Sequence, residues 1–336
     1  MEALNLAEPI VVTGATGFIG RWLVRRLAAE GRYVRALVLP DEKITGLWAG
    51  PVEVRRGDIT DPQAVAQAVR HAGTILHLAA AVGDWGPEAW FQRVTVAGTR
   101  HVLEAGGAGA ARIVVVSSYT VYGDKIPTHV CHEDLAWGEA QSAYSRAKQA
   151  QETVTWQLAG ERGLRVAVIR PTNVYGVGCR PWVREAAAEL RRGVPAVIGG
   201  LAQDAALCYV DNLIDLLLLA AAHPAAVGRT YNANDENGVT WRQYFTDLAR
   251  LAGARPPGRV PRWLARAAAG GAEAVWRWRG SQRRPPLTRE AVNLVGAHNR
   301  VPAARARQEL GFTPRVAYAE ALAALDANAQ EAGLRG

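Results

Sequence analysis

Long apolar runs and cysteine are both scarce in this sequence. The most apolar helical stretch, residues 213–222, is interrupted by Asp215 and is far shorter than the roughly 20 residues that cross a bilayer. No basic N-terminus leads into a signal-type apolar segment, so we expect a cytoplasmic protein without a transmembrane segment. The 3 cysteines are an odd number at no metal-ligand spacing, so we expect packing residues, with no disulfide framework and no metal site.

Positive charge is concentrated in one part of the chain. The formal net charge is +8, and much of the excess lies in residues 255–289, where arginines alternate with Trp263, Trp276 and Trp278. Because the excess is local, a nucleic-acid partner is the least favoured interpretation. A helix with apolar residues between arginines is compatible with peripheral contact of residues 260–280 with a membrane, although a lid helix with solvated arginines is the favoured interpretation.

Hydrophobic residues make up 49% of the 336 residues, enough for a substantial core in one large or two smaller domains. From Pro9 to Pro171, short β-branched runs alternate with helical segments, a pattern typical of a parallel sheet covered on both faces. The predicted strands are Ile10–Thr13, Tyr33–Leu39, Val52–Arg56, Thr74–Leu78, Arg112–Ser117 and Arg165–Arg170, with helices after Phe18, Pro62, Glu88 and Ala140. The order predicts a doubly wound α/β sheet of the Rossmann type.

The regular alternation ends after Pro171. Cys208–Val210, followed by an apolar helix from Asp211, is typical of a late return of the chain to the sheet. We therefore predict a nucleotide-binding Rossmann domain over residues 1–172 and about 205–225. A smaller, mostly helical substrate domain is predicted over about 173–204 and 226–336.

Three glycines lie between the first predicted strand and its helix. Gly14 permits a tight turn, Gly17 lets the backbone approach a pyrophosphate, and Gly20 lets the helix pack against the strand. The helix N-terminus adds N–H groups and positive potential. This position between a strand and a helix predicts a dinucleotide site.

A tyrosine and a lysine are paired on a later predicted helix. Tyr144 and Lys148 are four residues apart and share one helix face. A nearby ammonium favours the phenolate of a tyrosine, whose ordinary pKa is about 10, so Tyr144 is a candidate general acid/base. The pair follows a buried strand that ends in Ser117 and Ser118, at the sheet edge where open α/β folds bind ligands.

Together these features resemble the extended branch of the short-chain dehydrogenase/reductase family, which includes NAD-dependent epimerases and dehydratases. The matching segments are Gly-x-x-Gly-x-x-Gly at 14–20, Gly-Asp at 57–58, Leu-His-Leu-Ala-Ala at 76–80, Ser-Ser-x-x-Val-Tyr-Gly at 117–123, Tyr-x-x-x-Lys at 144–148 and Arg-Pro-Thr-Asn-Val-Tyr-Gly at 170–176. The resemblance covers residues 9–220 well and is patchier beyond them.

The resemblance implies an NAD(P) cofactor and catalysis by Ser118, Tyr144 and Lys148, with Ser117 as the alternative serine. The residues that it assigns to the cofactor are Gly14, Thr16, Gly17, Phe18, Ile19, Gly20, Asp58, Ile59, Leu78, Ala79, Ala80, Tyr144, Lys148, Pro171, Asn173 and Val174. The residues expected at the substrate are Trp85, Ser118, Tyr119, Thr120 and Asn173.

Several of these residues have a second interpretation. Asp58, matched to the adenine contact, is also suited to cap the helix at Pro62, and Asn173 is also a turn former before Gly176. His77 is expected to be a packing residue. Relatives commonly carry Asn where this chain has Thr95, so the water or cofactor contact of that Asn is open.

The end of the second strand separates NAD from NADP in related folds. Relatives often carry an acid at the position of Val38 or a basic residue at that of Leu39, and this chain has neither. Asp41 is an acid near the ribose position, but Pro40 lies between it and the strand. Since a well-placed acid would repel the 2′-phosphate, its absence slightly favours NADP.

Differences from the motifs of particular family members narrow the range of expected reactions. Tyr119 and Thr120 stand where dehydratases of the family carry an Asp-Glu pair, and residues 204–211 lack the arginine of the nucleotide-sugar enzymes. Segments 82–86, 209–213, 284–289 and 306–312 resemble the 3β-hydroxysteroid dehydrogenase and 3-oxoacyl-type reductase branch. We therefore predict interconversion of a secondary alcohol and a ketone in an apolar pocket, floored by Trp85 and roofed by residues 260–280.

Two other functions stay open at this point. One is a nucleotide-sugar epimerase or 4-reductase, and the other is a non-catalytic NAD(P)-sensing protein, which commonly loses the Tyr or the Lys. The resemblance also implies a homodimer formed by the Tyr-x-x-x-Lys helix and the helix before it. Their counterparts here are Ala140–Ala159 and Val94–Ala105.

Overall fold

The computed structural model describes residues 4–107, 109–110, 112–194, 197–200 and 202–335. The strands are β1 Ile10–Thr13, β2 Val34–Val38, β3 Val52–Arg56, β4 Thr74–His77, β5 Arg112–Val116, β6 Val166–Pro171, β7 Asn173–Tyr175, β8 Val197–Ile198, β9 Leu207–Tyr209, β10 Arg229–Ala233 and β11 Arg259–Val260. The helices are α1 Phe18–Ala29, α2 Pro62–Val69, α3 Glu88–Phe91, α4 Gly98–Gly106, α5 Ala143–Arg162, α6 Ala186–Arg191, α7 Val210–Ala222, α8 Trp241–Leu251, α9 Arg262–Trp278, α10 Arg289–Val295, α11 Ala304–Leu310 and α12 Tyr318–Ala327. Short π or 3₁₀ segments lie at Gln92–Ala97, Tyr119–Lys125, Arg180–Glu185 and Pro224–Ala226.

The main sheet has 7 parallel strands in the order β10-β6-β5-β4-β1-β2-β3. Its central strands β1, β4 and β5 are buried at every residue, as their runs of valine, isoleucine and leucine require in a sheet covered on both sides. One hydrophobic cluster joins one face to α1 and α7, and a second joins the other face to α2, α4 and α5. The predicted doubly wound Rossmann fold is confirmed.

Two predictions about the later strands are wrong. Leu207–Tyr209 does not return to the main sheet but pairs with Asn173–Tyr175 in a separate two-stranded sheet. The seventh strand of the main sheet is instead Arg229–Ala233, which lies within the range assigned to the substrate domain. Because β10 is short and partly polar, its strand character depends on pairing with β6, which local sequence does not reveal. The two-domain division itself stays a prediction.

The C-terminal part of the chain lies against the loop after β4. Asp84 accepts two hydrogen bonds from Arg284, at 2.6 and 2.7 Å, and the indole N–H of Trp85 donates to the carbonyl of Ser281 at 3.1 Å. These contacts place α9 and α10 beside the carboxyl edge of the main sheet. Within the described ranges, no helix combines the length and the apolar character that a bilayer crossing needs.

Candidate active site

The glycine turn leaves backbone groups open to a ligand. Gly14 has φ of 67°, and a Cβ there would lie 2.8 Å from the amide nitrogen of Ala79. A Cβ on Gly20 would lie 2.1 Å from the carbonyl oxygen of Gly14. Gly17, by contrast, is exposed and meets only that same oxygen, at 3.2 Å, while no side chain caps the first amides of α1. The turn therefore fits a pyrophosphate held by N–H groups.

The structure separates the two serines at the end of β5. Ser117 points towards α5 and donates its hydroxyl to Glu152 at 2.5 Å. Ser118 Oγ accepts from the amide and the hydroxyl of Thr120, at 3.2 and 3.1 Å. With its lone pairs occupied, the hydroxyl proton of Ser118 is free to be donated. Ser118, not Ser117, is therefore suited to bind a reacting oxygen.

Tyr144 lies in the first turn of α5, whose start is fixed by a capping box. Ser142 Oγ accepts from the amide of Ser145 at 3.0 Å, and Ser145 Oγ accepts from the amide of Ser142 at 2.9 Å. This cap places Tyr144 at the sheet edge beside Ser118. Although the ring is partly exposed, desolvation of its hydroxyl raises the pKa of Tyr144 to about 12, and the nearby hydroxyl of Ser118 opposes that rise.

Lys148 follows one turn later and is buried. Its Nζ donates to the carbonyl of Val116 and to Gln151 Oε1, both at 2.9 Å, and lies 5.8 Å from the centroid of the Tyr144 ring. Burial lowers the pKa of Lys148 to about 7, and the charge of Glu152 opposes that change.

The protein alone does not lower the tyrosine pKa as the sequence led us to expect. Tyr144 and Lys148 share the same desolvated surroundings, and desolvation disfavours the charged form of both groups. At neutral pH Tyr144 therefore carries its proton, in the form that a proton donor needs.

A buried chain of hydrogen bonds continues from Lys148 through Gln151. Gln151 donates to Thr99 Oγ1 at 2.9 Å, and the Thr99 hydroxyl donates to the carbonyl of Thr95 at 2.6 Å. Thr99 Oγ1 must therefore accept from His77 Nε2, which lies 2.9 Å away. Sequence reasoning missed Gln151, although its spacing of three from Lys148 places both on one helix face.

His77 links this chain to the glycine turn. Its Nδ1 accepts from Thr13 at 2.7 Å, and Thr13 in turn accepts from the amide of Ala79 at 3.2 Å. Burial first, and the charge of Lys148 second, lower the pKa of His77 to about 3, so the ring is neutral. The histidine is buried, as expected of a packing residue, and it also fixes the backbone that precedes Gly14.

The remaining hydroxyls and amides at the edge are bonded to one another. Tyr119 donates to Asn173 Oδ1 at 3.0 Å, and Asn173 donates to the carbonyl of Ala205 at 2.6 Å. Asn173 begins β7 and is buried, so it is not the turn former that we considered as an alternative. Thr95, at the position where relatives have Asn, accepts from the amide of Ala81 at 3.1 Å.

Asp58 does not cap α2. That cap is Asp61, whose carboxylate accepts from the amides of Gln63 and Ala64 at 2.9 and 3.3 Å. Asp58 instead accepts from the amide of Thr60 at 2.8 Å. Among the described residues its second carboxylate oxygen accepts no hydrogen bond, so it could hold an adenine amino group. The other residues matched to the cofactor border the carboxyl ends of the strands: Ile59, Leu78, Ala79, Ala80, Pro171 and Val174.

An acid that sequence reasoning did not consider lies beside the glycine turn. Thr16 donates its hydroxyl to Glu42 Oε2 at 2.6 Å. The loop that carries Glu42 is held by Arg56, whose Nη1 donates to the carbonyls of Leu39, Pro40 and Glu42. The preference for NADP rested on the absence of an acid near the end of β2. The structure places the carboxylate of Glu42 there, beside the glycine turn.

The predicted roof of the pocket is wrong in part. Trp85 does contact the C-terminal segment, through Ser281 and through Arg277, whose guanidinium lies 5.8 Å from the ring centroid. However, Trp263 and Trp278 are 73% and 85% exposed, so they do not enclose a substrate.

Glu290, in α10, is a buried acid of the C-terminal part of the chain. Its side chain is 3% exposed, and neither carboxylate oxygen has a hydrogen-bond partner among the described residues. Burial raises its pKa to about 8, with further rises from Asp84 and Glu273. Its charge in turn raises the pKa of Tyr144. The buried carboxyl group of Glu290 is therefore protonated at neutral pH.

Comparison with known proteins agrees with this fold. Residues 10–233 match the model of the NAD dependent epimerase/dehydratase family. The chain belongs to this family of oxidoreductase enzymes, and its resemblance to the extended short-chain dehydrogenases, with relatives of the 3β-hydroxysteroid dehydrogenase type, is confirmed.

Three similar proteins span nearly the whole chain. A 4-hydroxy-2-methyl-3-oxo-4-farnesyl-3,4-dihydroquinoline-1-oxide ketoreductase of Stigmatella aurantiaca is 30% identical over 94% of this chain and 94% of its own. A 3 beta-hydroxysteroid dehydrogenase/Delta 5→4-isomerase of Mycobacterium tuberculosis (strain CDC 1551 / Oshkosh) is 30% identical over 93% of this chain and 88% of its own. The solved structure of MoeE5 in complex with UDP-glucuronic acid and NAD has a TM-score of 0.72 and 27% identity, and the match covers 96% of this chain and 99% of that one.

Proposed function

We propose that this enzyme interconverts a secondary alcohol and a ketone on a hydrophobic substrate, with an NAD(P) cofactor. The observation that carries the proposal is the meeting of Ser118, Tyr144 and Lys148 at the carboxyl edge of the sheet, beside a glycine turn that fits a pyrophosphate. The bound cofactor supplies or takes the hydride. All other steps belong to side chains of this chain.

Tyr144 moves the proton in this proposal. In the direction of reduction, its protonated hydroxyl donates to the ketone oxygen, while Ser118 holds that oxygen with a second hydrogen bond. Lys148 binds the nicotinamide ribose and favours the tyrosinate that is formed. Gln151 fixes the position of the lysine.

The proposed substrate is neutral and apolar in character. Residues 204–211 lack the arginine that nucleotide-sugar enzymes of the family carry, which disfavours a diphosphate group. The names of the ketoreductase and hydroxysteroid dehydrogenase relatives support this class.

A nucleotide-sugar epimerase or 4-reductase is the second candidate. It is favoured by one observation, the likeness to MoeE5, which was solved with UDP-glucuronic acid.

For the cofactor we propose NAD. The carboxylate of Glu42, bound to Thr16 in the glycine turn, is placed to accept the adenosine ribose hydroxyls and to repel a 2′-phosphate. We also propose the homodimer expected from the resemblance, with Ala140–Ala159 and Val94–Ala105 as its interface.

The test is a substrate screen that follows NADH and NADPH absorbance with hydrophobic 3-ketones and 2-alkyl-3-oxo acid derivatives. We expect turnover of members of this set, with NADH preferred. Competition by UDP-sugars for the same site, with no turnover of any apolar ketone, would favour the second candidate instead.

A further inference from the structure

Helix α9 exposes an apolar face to solvent. Trp263 and Trp278 lie near its two ends and are 73% and 85% exposed, and Leu264 and Val275 between them are 45% and 41% exposed. At 100° per residue, these four side chains lie within an arc of about 120°, an arc that also holds Ala267, Gly271 and Ala274. The helix packs on the protein through its opposite side, where Ala265, Ala269 and Glu273 are buried.

Arginines border this face. Residues 255–289 contain nine arginines and a single acid, Glu273, so the segment alone carries as much net positive charge as the whole chain. Glu273 is buried, and it is bound to Arg277 and to the amide of Arg289. Arg266 and Arg277 flank one edge of the apolar arc, Arg279 lies at the other, and all three are exposed.

The C-terminal end of α9 contacts the loop that carries Trp85, a residue proposed at the substrate. Arg277 stacks on Trp85, and the carbonyl of Ser281, three residues beyond the helix, accepts the indole proton of Trp85. Val82, in the same loop as Trp85, is 70% exposed. The end of α9 that carries Trp278 therefore lies beside this loop.

We propose that α9 binds the surface of a membrane that contains anionic lipids. An apolar helix face with tryptophan at both ends and arginine along its rims has the composition of a helix that lies in the plane of a bilayer interface. Arginine stems extend over apolar surface while their guanidinium groups reach phosphate. A second copy of this chain would instead bring two arginine-rich segments together, which like-charge repulsion disfavours.

This attachment goes beyond the proposed reaction. It would place the loop at Trp85 at the lipid surface, where apolar alcohols and ketones dissolve. The enzyme would then take its substrate from the membrane rather than from water.

Flotation of the full chain with lipid vesicles tests the proposal. We expect the protein to float with vesicles of phosphatidylcholine and phosphatidylglycerol and to stay behind with phosphatidylcholine alone. Raising the salt concentration should weaken the binding, because it screens the arginines. The double variant Trp263→Ser/Trp278→Ser should lose at least tenfold in apparent vesicle affinity.

The matched control is Val130→Ser/Val194→Ser, which removes two exposed apolar side chains elsewhere (48% and 42% exposed) and should bind as the parent does. Circular dichroism of both double variants verifies the fold. Equal binding by the tryptophan variant, or no binding by the parent at low salt, would overturn the proposal. A third outcome would also overturn it. If the parent binds no vesicles and the tryptophan variant loses self-association in sedimentation without lipid, the face is an interface between copies of the chain. None of these measurements requires catalysis, so their failure is distinct from failure of the proposed reaction.

Discussion

Two regions of the molecule differ in how their polar and apolar groups are buried. One is the sheet edge around Tyr144, and the other is the segment 255–290 that faces it. At the edge, buried polar groups are paired, as in the chain from Lys148 through Gln151 and Thr99 to His77. In the facing segment, Glu290 is buried without a partner among the described residues, while Trp263 and Trp278 are exposed.

Both features of the facing segment cost stability, since an unpaired buried carboxyl and exposed tryptophans are unfavourable in isolation. A paired network, by contrast, holds reacting groups in one geometry. We infer that the edge determines the chemistry and that the facing segment determines which molecules reach it. Four substitutions test this division.

The largest effect is expected at the edge, from Tyr144→Phe. The ring and its packing remain while the proton-bearing oxygen is lost, so kcat should fall by roughly a hundredfold or more. Affinity for NADH, measured by fluorescence titration, should be unchanged. Near-normal turnover of the variant would show that another group moves the proton and that the central assignment is wrong.

Glu152→Gln tests the buried ion pair with Arg170, which lies beneath the sheet edge. Glu152 is fully buried and accepts from Ser117 and twice from Arg170, so removing its charge leaves a buried guanidinium uncompensated. The free energy of unfolding in urea should fall by about 3 kcal/mol. The control Glu185→Gln breaks the exposed pair with Arg180 and should cost less than about 1 kcal/mol. Equal costs for the two variants would contradict the role of the buried pair.

The unpaired acid of the facing segment is tested by Glu290→Gln. The pKa of Glu290 is about 8 in the folded protein against an ordinary 4.5, so the folded chain holds a proton that the unfolded chain releases between these pH values. Its contribution to stability is therefore complete below about pH 4.5 and is lost as the pH rises through about 8.

Glutamine removes this dependence, so at pH 9 the variant should be more stable than the parent by about 3 kcal/mol. Urea unfolding of both proteins at pH 6 and pH 9 measures the difference. The exposed control Glu189→Gln should leave the pH dependence of the parent unchanged. Parallel changes in the stability of parent and variant between the two pH values would show that Glu290 is not protonated in the folded state.

The smallest effect is expected from Gln151→Leu, which removes an acceptor of the Lys148 ammonium. Its loss should lower the pKa of Lys148 below about 7, reduce kcat about tenfold and move the alkaline limb of the pH–rate profile to lower pH. Gln151→Glu should move that limb the other way, because a carboxylate favours the ammonium. Gln157→Leu, an exposed substitution on the same helix, should leave the profile in place. Shifts of the same sign in both Gln151 variants would indicate a purely structural role.

Local sequence determined the six strands from Ile10 to Arg170, the glycine turn and the serine, tyrosine and lysine. A buried parallel strand is a continuous run of β-branched residues, and the turn and the helix pair have fixed spacings, so each is encoded within about ten residues. The choice of Ser118 over Ser117 depended on family resemblance, and the structure gives its physical basis in the bond from Ser117 to Glu152.

Tertiary structure alone decided the rest. The contacts of Glu42 with Thr16, of Gln151 with Thr99 and of Arg284 with Asp84 join residues 26, 52 and 200 positions apart. The pairing of β10 with β6, the burial of Glu290 and the exposure of Trp263 and Trp278 likewise depend on what packs beside each residue. Periodicity and spacing describe a residue's neighbours along the chain, whereas burial, pairing and pKa depend on neighbours that only the folded chain brings close.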